Sequence, residues 1–403
     1  MGCFFRRRRA DASFRVMQTS PHHVPSRRSG VTTSALALGF GVWVIMGLSG
    51  CKAVDESGVA PVAGRVPGAG PHFLGVTDFS GFERGDTEGE GQGMTLVSPV
   101  FNASFPWQEL VVSWNAVAPP GCGLKIEARA IRPDRTTSFY TMGLWADDTA
   151  DLPRTSVNGQ KDEDGDVLTD TLVLNQPAQK VQVRLTWRGT NAAAGRLKFL
   201  GLSFAGRAAG ASPQLPDRRA WGKVIPVPER SQLSYEGGGD WCSPTSVSMV
   251  LSYWAQVLKK PELNLDVPEV AAGVFDPSWP GTGNWPFNTA FAGKFSGMRG
   301  YVTRCRGISD LESWVASGVP PILSVSSDLL NGRVRDRVSG HLVVCIGFTS
   351  DGEVILNDPG VSLAKGQPVR RAVTRELLLK AWANSRQTVY LIHPEEYPVP
   401  AWP

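Results

Sequence analysis

Glu236-Gly237-Gly238-Gly239-Asp240-Trp241-Cys242-Ser243-Pro244-Thr245-Ser246-Val247-Ser248-Met249-Val250-Leu251-Ser252-Tyr253-Trp254 is the stretch on which the fold turns. Three glycines run into a cysteine. Pro244 then suits the first turn of a helix, where its missing N–H costs nothing. Val247, Val250, Leu251, Trp254 and Leu258 follow at helical spacing and predict one apolar face. Cys242 is therefore expected at a helix N-terminus. The positive end of the helix dipole favours a thiolate there. Backbone N–H groups of the same turn can receive a developing oxyanion, and the glycines let a substrate backbone approach.

A thiolate nucleophile usually pairs with an imidazole, which then protonates the leaving group. Beyond residue 51 the chain offers His72, His341 and His393. His341 follows Gly340 and opens the apolar run Leu342-Val343-Val344-Cys345-Ile346-Gly347-Phe348, which places its ring at a strand start. Asp351-Gly352 marks a turn into Glu353-Val354-Ile355-Leu356, and Asn357-Asp358-Pro359 comes next. Two hairpin strands of similar length bring Asp358 back beside His341. A carboxylate there can accept from one ring nitrogen, fix the tautomer and stabilise the imidazolium. Taken singly, each feature has a plainer reading: a small core cysteine, an ordinary histidine, a common turn. In this order, with a helix starting at the cysteine, they form a nucleophile, a base and an orienter.

Gln232, then Trp241-Cys242-Ser243-Pro244-Thr245-Ser246, then Gly340-His341, then Asn357-Asp358-Pro359 together resemble cysteine peptidase family 39, the bacteriocin leader peptidase-like branch of the papain clan. They are most similar to its secreted, stand-alone members. The resemblance spans about residues 221–395. It implies Cys242 as nucleophile, His341 as base, Asp358 as orienter and Gln232 as the side chain that completes the oxyanion hole. Two features depart from the family pattern. Cys242-Ser243-Pro244 stands where Cys-Gly-Pro is usual, and Tyr235 to Gly239 lengthen the gap between Gln232 and Cys242.

The rest of this half supplies a scaffold. Helices are expected over residues 268–275, 310–315 (capped by Ser309) and 376–382, and strands over 301–305, 322–325 and 388–392. Gly281 to Pro286 reads as a loop able to line a cleft. Cys122, Cys305 and Cys345 are an odd set, so mostly free thiols are expected, although an exported protein permits a Cys305–Cys345 bridge. No Cys/His spacing supports zinc, and no cofactor is expected.

From His72 to about Arg207 the pattern changes to short apolar runs split by Gly, Pro, Asn and Asp, several alternating with period two. An all-β sandwich, jelly-roll-like, is the natural reading. Trp107, Trp114, Trp145 and Trp187 either fill its core or line a carbohydrate face. Asp162-Glu163-Asp164-Gly165-Asp166 lacks the downstream Glu of a calcium loop and reads as a solvated acidic turn.

The N-terminus reads as an address. Seven Arg and one Asp lie in the first 50 residues, whereas the remainder carries 34 basic and 36 acidic residues. A near-neutral body argues against a nucleic-acid partner. Val31 to Leu48 is an apolar run that suits a signal h-region better than a bilayer span. It ends in Leu48-Ser49-Gly50-Cys51, which resembles the lipobox of bacterial lipoproteins and implies acylation of Cys51. Lys52, standing where Asp would favour inner-membrane retention, points to the outer membrane of a Gram-negative cell.

The expected organisation is a signal peptide over residues 1–50, a tether over 51–70, a β-sandwich over 71–207, a linker over 208–220 and an α+β papain-like domain over 221–403. The expected function is a membrane-anchored, extracytoplasmic cysteine peptidase acting on a peptide or protein. Its partners are the lipid bilayer through Cys51 and a cell-wall or polysaccharide surface through the sandwich. The alternatives are a non-catalytic binding lipoprotein on the same scaffold and a cell-wall amidase or transferase using the same dyad. The absence of a GxxxxGK[ST] motif and of multiple spans sets aside leader removal coupled to export.

Overall fold

A computed structural model describes residues 72–85, 93–206, 214–333 and 340–400. The expected leader, Cys51 and the tether lie outside these residues. The described parts pack into one compact unit.

The first part is built from strands: β1 (Phe73–Val76), β2 (Glu83–Gly85), β3 (Met94–Val97), β4 (Phe101–Val117), β5 (Gly123–Ile131), β6 (Tyr140–Trp145), β7 (Gly165–Leu168), β8 (Thr171–Arg188) and β9 (Arg196–Ala205). All nine join in one antiparallel network. Its main path is β1-β9-β4-β8-β3-β2, with β5 and β7 also on β8 and β6 on β5. Two long strands make this possible. The start of β8 pairs with β7, and its end pairs with β5. Strand β4 pairs with β8 through register shifts between Asn102 and Glu109, then with β9 from Glu109 onward. Trp107, Trp114, Trp145 and Trp187 are all buried, so they fill the core and present no sugar-binding face. In the acidic turn, Asp164 pairs with Arg132 and Arg135 at 3.2 and 3.0 Å. Asp162 accepts from the Tyr140 hydroxyl at 2.5 Å.

The second part continues with α1 (Cys242–Leu258), α2 (Val267–Val274), α3 (Trp285–Gly293), β10 (Met298–Arg304), α4 (Ile308–Ala316), β11 (Ile322–Ser326), α5 (Ser327–Leu330), β12 (Gly340–Phe348), β13 (Val354–Asn357), β14 (Arg370–Val373), α6 (Arg375–Trp382) and β15 (Thr388–Pro394). Its six-stranded antiparallel sheet runs β10-β15-β11-β12-β13-β14. Helix α1 begins at Cys242, as the sequence predicts, but it has no solvent face before its last turn. Every residue from Cys242 to Ala255 is buried, because β12 lies on one side and α2 and α3 cover others. Its inward serines are satisfied: Ser243 Oγ meets the Tyr390 hydroxyl at 3.1 Å, and Ser252 accepts from Arg230 at 2.8 Å. Ser309 is not a cap, since α4 starts one residue earlier, after Gly307. The expected loop over residues 281–286 ends early. Asn284 accepts from Phe287 N–H at 3.2 Å and starts α3 at Trp285.

The two parts interlock. Strand β10 is an end strand of its sheet, and its outer backbone groups are met by side chains of β4. Asn115 Nδ2 donates to Gly300 O at 2.7 Å, its Oδ1 accepts from Gly300 N at 3.0 Å, and Ser113 Oγ accepts from Val302 N at 2.9 Å. Asp170 Oδ2 accepts from Trp285 N at 2.9 Å, at the head of α3. Trp114, Trp145 and Phe287 form an edge-on aromatic cluster across the junction. Residues 214–220, expected within a linker, are docked as well: Asp217 N donates to Glu312 at 2.8 Å, and Trp221 Nε1 donates to the same carboxylate at 2.8 Å.

Cys122, Cys242, Cys305 and Cys345 are buried free thiols, so the bridge permitted between Cys305 and Cys345 is not formed. Among the described residues, no helix is long and apolar enough to cross a membrane and no cluster of ligating side chains has metal-site geometry.

Candidate active site

The hairpin β12–β13 does what its sequence predicts. The two strands are less alike in length than expected, nine residues against four, and Val344 pairs with Asn357 past an irregularity between Cys345 and Gly347. Asp358 then emerges beside the start of β12. His341 Nε2 lies 2.7 Å from Asp358 Oδ1, and both side chains are buried. The same carboxylate oxygen accepts from Gly360 N–H at 2.9 Å. Its other oxygen is 2.8 Å from Arg371 Nη2, on β14. Burial by itself raises the Asp358 pKa. The opposing charge of His341, its hydrogen bond, the Arg371 guanidinium and the Gly360 N–H outweigh burial and hold the carboxyl at about 2. Asp358 is thus ionised at any physiological pH, and the ring nitrogen that faces it must carry a proton. Proton exchange with a thiol falls to the other nitrogen, Nδ1.

Cys242 opens α1, and α1 packs on β12, the strand that carries His341. One turn later, Ser246 Oγ donates to Leu342 O at 3.2 Å, which pins the head of the helix to the residue after His341. Trp241, the residue before the helix, supplies no side-chain cap. The first-turn donors of α1 are therefore not masked by a neighbouring carboxylate or hydroxyl from that position.

Gln232 is buried, and the fold does bring it to this region. Its backbone N–H donates to Pro359 O at 3.0 Å, tying it to the turn that carries Asp358. Its Nε2 donates to Gly238 O and Gly239 O, both at 2.9 Å. The amide expected to complete an oxyanion hole thus contacts two carbonyls of the glycine turn. In this geometry Gln232 holds the turn that delivers Cys242. Gly238 permits the close approach, since a Cβ there would lie 2.0 Å from Gln232 O. The longer gap between Gln232 and Cys242 is therefore a folded turn, not a slack insertion.

The other histidines are elsewhere in role. His72 packs against Phe105 with the rings tilted and their centroids 4.8 Å apart. His393 is buried against Tyr301, and burial pulls its pKa down to about 4. Cys345 is pushed up to about 12 by burial, the behaviour of a core thiol.

Two residues at the site carry no local motif. Arg371 looks like any charged residue of an edge strand, and only the β13–β14 pairing of Leu356 with Arg371 places it near Asp358. Gly360 looks like a turn residue. A Cβ there would lie 2.9 Å from His341 Cε1 and 3.2 Å from Nε2, so only glycine fits beside the ring.

Comparison with known proteins fits this arrangement. Residues 75–204 match the Peptidase C39 N-terminal domain, and residues 224–390 match the Peptidase C39 like family. The chain belongs to the C39-like cysteine peptidase family. A candidate C39-like peptidase from Bacillus anthracis, known from a crystal structure, is 20% identical over 42% of this chain and 96% of that one, with a TM-score of 0.32. No curated protein matches the chain. As a C39-like peptidase it pairs the catalytic-type domain with the N-terminal domain whose strands β1 to β9 are described above.

Proposed function

We propose that this C39-like peptidase hydrolyses peptide bonds with Cys242 as nucleophile, His341 as base and acid, and Asp358 as orienter. His341 Nδ1 takes the thiol proton, and the thiolate attacks the carbonyl carbon. The oxyanion that forms is received by the backbone N–H groups at the head of α1. When the C–N bond breaks, the imidazolium gives its proton to the departing amine and a thioester remains. His341 then takes a proton from water as the hydroxide adds to the thioester, and its collapse yields the carboxylic acid and restores the thiol. Asp358 keeps the Nε2 proton in place throughout. The papain-like reading of the α1-on-sheet arrangement and the sandwich reading of the nine-stranded network belong to the same proposal.

The observation that carries it is the buried 2.7 Å contact between His341 Nε2 and Asp358 Oδ1, with His341 on a strand against which the helix opened by Cys242 packs. The test is the pH dependence of iodoacetamide labelling in the wild type, Cys242→Ala and His341→Ala. Labelling of Cys242 is expected to persist well below an ordinary thiol pKa of about 8.5, and His341→Ala should abolish that advantage. If Cys242 titrates like an ordinary thiol and His341→Ala changes nothing, the catalytic reading fails. Digestion of peptides and of peptidoglycan fragments then separates a peptidase from a wall amidase.

The lipobox-like run before Cys51 supports an extracytoplasmic, lipid-anchored location. The expected result is that the full chain partitions into the detergent phase when expressed in a bacterial host, and that Cys51→Ser moves it to the aqueous phase. Equal partitioning of the two would refute the anchor.

A further inference from the structure

Asp358 is held from two sides, and the two contacts differ in kind. His341 and Gly360 N–H both approach Oδ1 with hydrogen-bond geometry. Arg371 approaches Oδ2 at 2.8 Å as an ion pair, yet its Nη2 makes no directed hydrogen bond there. Its directed bond goes elsewhere, from Nη1 to Asn331 Oδ1 at 3.1 Å. Arg371 is thus anchored by Asn331 and presents charge, more than a donor, to the carboxylate. Among the described residues, the neighbouring charges are paired elsewhere. The adjacent Arg370 pairs with Glu229 at 3.1 Å, and Asp328 on α5 pairs with Arg333 at 3.5 Å. On the neighbouring strand β11, the residue opposite His341 is Val325, which carries no charge. Among the described residues, the charged groups that these contacts place at the ring are Asp358 after β13 and, behind Asp358, Arg371 from β14.

We infer that Arg371 is a positioning residue that sets the basicity of His341 electrostatically, by offsetting part of the Asp358 charge. This inference rests on the proposed role of His341 and adds a residue to it. A bare carboxylate beside an imidazole stabilises the imidazolium and raises its pKa. A guanidinium on the far oxygen opposes that rise without breaking the Nε2 bond. A base whose pKa rise is limited in this way can both accept the thiol proton and release it to an amine. The sign follows: removing the Arg371 charge leaves Asp358 unopposed and shifts the His341 titration upward.

The experiment follows the His341 ring by NMR in the full chain, labelled in its five histidines, with His341→Ala to assign the signal. Arg371→Gln and Arg371→Met remove the charge, and Arg371→Lys keeps it. Strand β14 is an edge strand with Arg371 partly exposed, so at least one neutral variant is expected to fold. A neutral variant should raise the His341 midpoint by about one pH unit, whereas Arg371→Lys should stay near the wild type. An unchanged midpoint in the neutral variant overturns the inference. So does an equal shift in Arg371→Lys, which would show a packing effect. The iodoacetamide profile of the wild type decides separately whether Cys242 is activated. The electrostatic claim and the peptidase reading can therefore fail independently.

Discussion

Replacing Gly360 by alanine puts a methyl group where the structure has no room for one. The new Cβ would stand 2.9 Å from His341 Cε1, 3.2 Å from Nε2 and 3.3 Å from Asp358 Oδ1. Carbon atoms settle at about 3.5 Å or more, so the ring must retreat by roughly half an ångström. The Nε2 to Oδ1 contact starts at 2.7 Å. The same displacement takes it to the outer limit of a hydrogen bond, about 3.2 Å. A bond to a charged group contributes about 1.5–3 kcal/mol, which is about 10- to 100-fold in rate. Global stability should fall by only about 1–2 kcal/mol, the cost of mild overpacking. The assay is the second-order rate of Cys242 labelling by iodoacetamide near pH 6.5, with Cys242→Ala as background, alongside a thermal melt. A folded Gly360→Ala protein that labels within twofold of the wild type would refute the claim that the ring is held in register by this contact.

Other expectations follow from the same geometry. Asn115→Ala removes three buried hydrogen bonds, two of them to Gly300. It should cost about 2–5 kcal/mol, read as a lowered denaturant midpoint, and a loss under 1 kcal/mol would contradict it. The Asp358 carboxyl falls from its ordinary value of 3.8 to about 2 on folding. A depressed carboxylate contributes stability above its unfolded pKa and loses it as pH falls through the folded one. About 2 kcal/mol should therefore vanish between pH 4 and pH 2, and Asp358→Asn should flatten that part of the stability curve. Of the described thiols, Cys122, Cys305 and Cys345 are buried with raised pKa values. They should react with a thiol reagent only after denaturation, which thiol counting before and after guanidinium checks.

The parts of the site that the sequence makes legible are those specified locally. A glycine turn, Cys242 and Pro244 mark a helix start, and the register of one hairpin carries Asp358 back to His341. What stayed hidden depends on neighbours far along the chain. The serines of α1 look like a polar face, yet Ser243, Ser246 and Ser252 are buried against Tyr390, Leu342 and Arg230. No helical period reveals that β12 and two helices enclose α1. Arg371 reaches Asp358 only through the pairing of β14 with β13, and a lone arginine in an edge strand gives no signal of that. Nothing in the sequence shows that the Gln232 amide donates to Gly238 and Gly239, which only the folded turn determines. The junction between the two parts left the faintest trace. Ser113 and Asn115 are polar residues in an apolar strand, and such residues in a buried strand mark a partner on the other side.

That junction has a consequence for association between molecules. An open sheet edge such as that of β10 is a template for pairing with other chains. Here Ser113 and Asn115 occupy the backbone groups of Gly300 and Val302, so the N-terminal part denies that edge to a second copy. A chain cut between the two parts would uncover it, and self-association of the isolated second part is the behaviour to expect.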